Sequence, residues 1–552
     1  MRRHSAIILL LPIIGTLAGL WLGRSEWSDL WPELSRLNLA WRVGQGWLAG
    51  FLVFAVLLLL ARGGRPTKTG RWRRAVEGVL VATALAPAGL WMTLALPDGV
   101  MRKAAPPLWP LHSRRPNIVL IGVDALRADH LGAYGSKAGL TPNLDKFADE
   151  ATVYEAAYAS SPWTLASLGA VFTSLPPSQC IVMKAKGEEP GPYVDRVVLR
   201  KGVELLPQRL RRAGYLTAAE LTNPFLARER GWAQGFRDFR NEDGWEIKSL
   251  ITHDSTRAET ITRNASQWLQ LSHRQPFFLW MHYLDTHAPY DSPDTPAELR
   301  ERYPRDWDTG RAYYYDEKRK EDALTGPRYE QFCREMYAEE VRYADRWVGE
   351  LLEELQRVGG YDNSIIVIMS DHGEELFDHG GFEHGHSMHE EVLRVPLLVK
   401  WPRGVKADQQ ISQTVALTDL ADTFLELARV PMGEIQGRPL PRRDGEPGVE
   451  VFSEGVLYGA EQTALTSDRY KAIYHLPASG PGRFEVYDRE ADRGERRDLS
   501  KTGAARDLRE RLRVLTEAVM ARRVTGNEEG APRREVGEEA RRKLRSLGYL
   551  GD

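Results

Sequence analysis

The chain has 552 residues, more than one folding core usually holds, so a large unit with attachments is expected. Its 74 basic and 76 acidic residues leave a formal net charge of -2, which excludes the strongly basic balance of a nucleic-acid-binding chain. Two cysteines, Cys180 and Cys333, exclude a disulfide framework; neither has metal-binding or redox spacing, and they are left to pair or stay free.

In chain order, the first features are three apolar stretches, about residues 6–23, 43–61 and 78–96, each long enough to cross a membrane as a helix. Arg2 and Arg3 precede the first, and Arg62, Arg65, Lys68, Arg71, Arg73 and Arg74 lie between the second and third. The loop between the first two balances Glu26, Asp29 and Glu33 against Arg24, Arg36 and Arg42. Positive charge stays in the cytoplasm, so residues 1–97 are expected to be a multi-pass membrane region in the cell (inner) membrane, with everything beyond on the extracytoplasmic, periplasmic side. A cleaved signal peptide is the alternative for the first stretch, though no clear small-residue cleavage site follows it. Three buried helices of a soluble domain would leave the charge asymmetry to accident.

Residues 98–115 are rich in Pro and basic groups and are expected to be a linker. Asn117 to Val123 is a continuous apolar run ending at Asp124, the pattern of a parallel strand buried on both faces. Ala125 to Gly135 is a loop, and Thr141-Pro142 opens a helix with threonine as N-cap and proline at the first helical position. Pro162 marks a turn before a second helix, placing Thr164 near an N-terminus, where free N–H groups favour an anion or an ionised nucleophile. Taken alone, this stretch favours reading Thr164 as only an N-cap.

Helix and strand patterns then alternate: helix 203–213, strand 216–221, helix 255–271, and a strand from Pro276 leading to His282, Asp285 and His287. Residues 291–327 are polar and irregular and are expected to be a surface insertion. A long amphipathic helix, 329–358, stops at Gly359-Gly360 and feeds the strand Ile365 to Met369, which ends at Asp371 and His372. An apolar segment at 395–402 and a helix at 417–428 close the unit. The resulting expectation is an α/β fold, a mostly parallel sheet flanked by helices, over residues 116–432. Residues 433–552 carry short strands (464–466, 470–475, 483–487) and a charged helix (505–522). They are expected to form a small α+β subdomain with a charged tail.

His282, His287, His372, His379, His384, His386 and His389 are seven of the 13 histidines and all lie in two strand-end stretches. In an open α/β sheet ligands gather at the carboxyl ends of strands. Asp124, Asp371, His372 and the hydroxyl of Thr164 therefore make a mixed oxygen and nitrogen set for one divalent ion, which would acidify the hydroxyl. Zinc or manganese suits that set ahead of calcium or magnesium. Arg127 with Asp129 is left open between a site role and fixing the loop after its strand, and the Glu374-Glu375 pair is read as fixing its loop.

The motifs Asn117 to Gly135, Thr141 to Asp145, Ser370 to Glu375, His384-Gly385, Arg394 to Pro396 and Tyr487 to Leu499, with the ending Leu544 to Leu550, occur in one order. Together the chain resembles the sulfatase-like branch of the alkaline phosphatase superfamily from about Pro116 to its C-terminus. The resemblance implies an alkaline-phosphatase-like fold, with Asp124, Asp371 and His372 as metal ligands and Thr164 as both nucleophile and ligand. His287 and His384 would contact the substrate oxyanion, and Asn223 would stand in the place of a substrate-contacting lysine. True sulfatases oxidise a Cys or Ser in a Cys/Ser-x-Pro-x-Arg context to formylglycine. Here Thr164, Ala166 and Leu168 occupy that context, and the rival register Ser160-Ser-Pro162 lacks the arginine, so no formylglycine is expected. The resemblance implies a sulfatase-like hydrolase of sulfated or phosphorylated esters. The alternative is a phosphoethanolamine- or phosphoglycerol-type transferase modifying envelope lipid or glycan, and a lesser one is a non-catalytic, metal-stabilised binding domain.

Overall fold

The first described strand shows how the layers form. All seven residues of β1 (Asn117–Val123) are buried, and successive side chains point to opposite faces. Ile118 and Leu120 join one hydrophobic layer, while Val119, Ile121 and Val123 join the other. Each side chain so buried contributes roughly 1.5–3 kcal/mol. The computed structural model describes residues 115–182, 197–241, 257–305, 307, 309, 326–431, 438–477 and 482–522.

After β1 come α1 (Pro142–Ala148), β2 (Thr152–Tyr158), α2 (Thr164–Thr173), α3 (Leu206–Arg212), β3 (Leu216–Leu221) and β4 (Asp238–Asn241). Next are α4 (Ala258–Ser272), β5 (Phe277–Tyr283), α5 (Pro327–Arg357) and β6 (Ser364–Met369). The paired strands β7 (Glu375–Leu376) and β8 (Phe382–Glu383) are followed by β9 (Arg394–Val395), β10 (Leu397–Lys400), β11 (Gln410–Ala416) and α6 (Asp419–Ala428). The large sheet runs β11-β2-β10-β6-β1-β5-β3-β4, with β9 also paired to β2. Helices α2, α3 and α6 pack on one face, and α1, α4 and α5 on the other.

The expected mostly parallel, helix-flanked sheet is present, with β10 running antiparallel to both β2 and β6. Its direction follows from the chain path. After β6 the chain stays at that strand's carboxyl end through residues 370–393, so a strand leaving from there must run back. A second sheet, β12 (Val451–Glu454), β13 (Gln462–Thr466), β14 (Tyr470–His475) and β15 (Arg483–Asp488), is antiparallel throughout and carries α7 (Arg506–Arg522). It joins the large sheet through Ser453 Oγ, which donates to the Ala159 carbonyl at 2.7 Å, and the Glu454 N–H, which donates to the Ser160 carbonyl at 3.0 Å.

Two local expectations are corrected. Thr141 occupies the N-cap position of α1, but its side chain makes no capping bond. Asp345 of α5 accepts from the Asn143 and Leu144 N–H groups instead, at 3.1 and 2.8 Å. The region expected as a surface insertion is partly core: Tyr303 stacks on Trp307, and both rings pack on Phe332 of α5. Cys180 and Cys333, left open to pair or not, are both buried and are not joined by a disulfide. The three apolar stretches, the linker up to residue 114 and the charged tail beyond 522 lie outside the described residues. Among the described residues, no helix is long and apolar enough to cross a membrane.

Candidate active site

Register brings three strand ends to one rim. Gly122 pairs with His282 of β5 and with Met369 of β6, and the Asp124 N–H extends the ladder to the Tyr283 carbonyl at 2.9 Å. Asp124, Leu284 to His287, and Ser370 to His372 thus leave the sheet side by side. The backbone there is held tightly. Ala125 turns with φ 55°, a left-handed conformation costing a non-glycine residue about 1–2 kcal/mol. The Leu126 N–H donates to Ser370 Oγ at 2.8 Å, the Thr286 hydroxyl donates to the Asp124 carbonyl, and Ser167 Oγ donates to the Asp371 carbonyl at 2.6 Å.

Asp124, Asp371 and His372 are fully buried, and each offers a ligand atom within 4.8 Å of the others. His372 Nδ1–H donates to the Gly373 carbonyl at 2.9 Å, which leaves Nε2 unprotonated in the neutral ring. That atom lies 3.5 Å from Asp124 Oδ1 and 3.5 Å from Asp371 Oδ2. Asp124 Oδ1 and both Asp371 oxygens complete no hydrogen bond of normal geometry. Buried acceptors left over in this way, beside an imidazole lone pair, fit a divalent cation, so the trio is a candidate metal site. The electrostatics agree. Burial opposes charge on Asp124, but His282, His372 and His287 hold its carboxyl well below the usual carboxylate range. Burial and the neighbouring Asp124 push Asp371 far above that range.

Thr164 is the first residue of α2, with Trp163 at the N-cap, so it is not merely the cap. Its Oγ1 sits 3.3 Å from Asp124 Oδ2, 3.2 Å from His372 Nε2 and 3.4 Å from Asn223 Nδ2. Asn223, at the end of β3, accepts the Phe225 N–H on Oδ1 at 2.8 Å, which turns its amide to donate to Asp124 Oδ2 at 2.7 Å. His282 Nε2 reaches the same Asp124 oxygen at 3.2 Å. Gly122 makes room for that ring, since a Cβ there would lie 2.6 Å from His282 Nδ1.

His287 and His384 stand edge to face at 4.9 Å, and His384 lies 4.2 Å from the His372 ring. His287 Nδ1–H donates to the Ala288 carbonyl at 2.6 Å. His384 Nδ1 and Glu374 Oε1 lie 2.9 Å apart and share a proton. Burial lowers the pKa of His287 and of His372, and lowers that of His384 further with help from the His372 and His287 charges. Burial together with Glu383 raises Glu374 well above the carboxylate range.

The two adjacent glutamates therefore differ. Glu375 fixes the β7–β8 hairpin by accepting from the His379 and Gly381 N–H groups at 3.0 and 2.6 Å and pairing with His386 at 2.7 Å. Glu374 instead meets a site histidine, so reading it as a loop-fixing residue is corrected. Arg127 does fix its loop, clamped by Asp129 and by Asp378 at 2.7 and 2.5 Å. His379 and His389 lie apart from the rim with Glu495. Their rings stack at 3.8 Å with planes 5° apart, so their in-plane lone pairs run parallel rather than converge. Glu391 engages His379 at 2.7 Å and Glu495 engages His389 at 3.1 Å, tying the loop to the small sheet.

All the sequence-derived site residues, Asp124, Thr164, Asn223, His287, Asp371, His372 and His384, come together at this rim. The sequence assigns no site role to His282 or Glu374. His282 had a signal in its place near the end of β5, whereas the Glu374 link spans distant loops.

The sulfatase family model matches residues 116–430, and the model of the N-sulphoglucosamine sulphohydrolase C-terminal region matches residues 377–521. The N-acetylglucosamine-6-O-sulfatase of Bacteroides thetaiotaomicron is 24% identical over 498 residues, covering 73% of this chain and 86% of that protein. Among solved structures, one described as bound to its substrate D-glucosamine-2-N,6-O-disulfate aligns with TM-score 0.57 at 18% identity, over 76% of this chain and 100% of the other. The phosphonate monoester hydrolase of Agrobacterium radiobacter aligns with TM-score 0.57 at 17% identity, over 74% of this chain and 96% of the other. With the family model covering more than half its length, the chain belongs to the sulfatase family, as a hydrolase with the alkaline-phosphatase-like fold.

Proposed function

We propose that the protein is a membrane-anchored, metal-dependent hydrolase of sulfate or phosphate esters in which Thr164 attacks the tetrahedral centre in line. The observation that carries this is the placement of Thr164 Oγ1, within 3.4 Å of Asp124, His372 and Asn223, at the first turn of α2. In the attack Oγ gives up its proton to water, a new Oγ–S or Oγ–P bond forms as the bond to the ester oxygen breaks, and that oxygen takes up a proton as it leaves. Hydrolysis of that threonyl ester by water restores the hydroxyl. Free N–H groups at the start of α2 and the amide of Asn223 favour negative charge on the centre's oxygens. His287 and His384 face those oxygens or the leaving oxygen. A divalent ion held by Asp124, Asp371 and His372, zinc or manganese ahead of calcium or magnesium, would acidify the threonine hydroxyl and draw in the substrate's oxygens.

A sulfated amino sugar is the first substrate class to test, in view of the sulfatase named for N-acetylglucosamine and the neighbour bound to a glucosamine disulfate. The phosphonate monoester hydrolase neighbour supports including phosphorus esters. Thr164 also supports a second reading. A threonyl ester opens as readily to an acceptor hydroxyl as to water, so transfer of a phospho-group to envelope lipid or glycan uses the same residues. Residues 1–97 would be the membrane anchor and 98–115 the linker, with residues 116–432 as catalytic domain and 433–552 as subdomain on the extracytoplasmic side.

Metal analysis of the full chain, with turnover of sulfate monoester, phosphate monoester, phosphodiester and phosphonate panels, tests the proposal. Turnover lost in Thr164→Ala supports it, and turnover unchanged in that variant on every ester refutes it. Group transfer from a phospholipid without release of free phosphate or sulfate selects the second reading.

A further inference from the structure

Glu374 is fully buried two residues beyond His372, and both of its carboxyl oxygens are occupied. Oε1 lies 2.9 Å from His384 Nδ1, and Oε2 accepts from the Tyr290 hydroxyl at 2.9 Å. Its main chain is held as well. The Glu374 N–H donates to the Glu391 carbonyl at 3.0 Å, and its own carbonyl accepts from Arg127 Nη1 at 3.1 Å. Tyr290 is wedged edge to face between Tyr337 at 5.3 Å and Phe382 at 6.0 Å. On the other side, the Gly385 carbonyl accepts from the Leu457 and Tyr458 N–H groups at 2.6 and 2.9 Å, so the backbone beside His384 is pinned too.

A buried carboxyl group is costly unless its hydrogen bonds are made, and a leucine or methionine of similar volume would fill the space without that cost. Here both oxygens are spent on one phenol and one imidazole, and that imidazole is the ring packed against His372. From this arrangement we propose that Tyr290 and Glu374 are positioning residues for His384. They fix its ring plane and, by occupying Nδ1, make Nε2 the nitrogen that meets the substrate's oxyanion or leaving oxygen. Tyr290 holds Glu374, and Glu374 holds His384, which alone of the three touches substrate. The inference rests on the reading of His384 as a substrate contact.

The test is a double-mutant cycle in the metal-loaded full chain, with a series of aryl sulfate esters of graded leaving-group acidity. Glu374→Gln keeps the side-chain shape, and Tyr290→Phe removes only the hydroxyl. The expected result is a kcat loss of about tenfold for Glu374→Gln and about threefold for Tyr290→Phe, with KM little changed, because an interaction felt mainly in the transition state is weakened. The loss should grow as the leaving group becomes poorer. In the background of His384→Ala, Glu374→Gln should cost less than about twofold more, since residues acting through one another are not additive. A uniform loss across leaving groups that adds fully to that of His384→Ala, or a loss explained by lower metal content, would overturn the inference. Should Glu374→Gln fail to fold, Tyr290→Phe decides by the same two criteria. Thr164→Ala separates the levels: activity surviving there defeats the reading of the site, whereas a dead Thr164→Ala with an additive cycle defeats only the positioning role.

Discussion

Without a divalent ion at the proposed site, stability should depend on pH in a way that reports on Asp371. In the metal-free protein, burial and the charge on Asp124 raise the Asp371 pKa well above its ordinary 3.8. The group therefore holds a proton in the folded state that it has given up in the unfolded chain. A raised folded pKa contributes stability that is full below the unfolded value and is lost as pH rises through the folded value, so the chelated protein weakens with increasing pH. A divalent ion needs Asp371 ionised and displaces that one proton, so the loaded protein escapes the loss. One proton corresponds to a slope of about 1.4 kcal/mol per pH unit. The stability gap between loaded and chelated protein should thus widen by up to that amount per unit as pH rises above the ordinary 3.8 towards the raised folded value. Denaturant unfolding of both forms across that range measures it, with Asp371→Asn as the control expected to abolish the slope. A gap that stays constant with pH would mean that Asp371 carries no exchangeable proton and that the metal fit is wrong.

Three further outcomes follow from contacts elsewhere. Gly122→Ala places a Cβ 2.6 Å from His282 Nδ1. It should cost about 1–3 kcal/mol in denaturant unfolding and lower turnover by moving His282 off Asp124; unchanged stability would contradict the close approach. At the clasp between the loop and the small sheet, burial opposes charge on His379, but Glu391 and the Glu495 carbonyl raise its pKa from 6.5 to about 9. Burial likewise opposes charge on Glu495, but Lys471 and His389 lower its pKa from 4.5 to about 2. His379 thus contributes fully below 6.5 and less as pH rises through about 9, while Glu495 contributes fully above 4.5 and less as pH falls through about 2. Melting temperatures should peak between those limits, with His379→Ala flattening the alkaline limb and Glu495→Gln the acid limb. Lys471, Glu390 and Glu485 face the same cluster, so a limb unaffected by either variant would assign the dependence to them. Finally, Arg127→Met should lower stability by about 1–3 kcal/mol, because the buried Glu374 carbonyl and the largely buried Asp378 lose their donor, while the exposed Asp129 is taken up by solvent. A loss of less than about 1 kcal/mol would refute a structural role for the clamp.

How far the sequence reveals this molecule depends on whether a feature is written along the chain or across it. β1, β5 and β6 are buried on both faces, so each reads as an unbroken apolar run whose end marks the rim. Asp124, His287, Asp371 and His372 were legible for that reason, and Thr164 because a turn and a helix start are local signals. β2 carries a half-exposed Glu155 and two alanines in a short run, and β11 is exposed at Gln410 and Ser412, so neither shows the continuous pattern, and both were missed. The α1 cap was misassigned because its carboxylate comes from Asp345, about 200 positions away in sequence.

The adjacent pair Glu374 and Glu375 shows where local reading must fail. The same residue type occurs at neighbouring positions in the same loop, yet Glu375 is held down at about 2 while Glu374 is pushed well above the ordinary 4.5. Both are buried, so burial alone cannot separate them. Glu375 gathers His386 and two peptide N–H groups, all donors that favour a charged carboxylate. Glu374 lies near Glu383, with one phenol and an imidazole that burial, together with neighbouring histidines, keeps neutral. Opposite directions along the backbone lead the two side chains to different company, and that company decides which one braces a hairpin and which one can steer a catalytic ring. Nothing in the string Gly373-Glu374-Glu375 carries that distinction. It arises only when the loops after β5 and β6 meet, which is also where any second-layer control of the site must be sought.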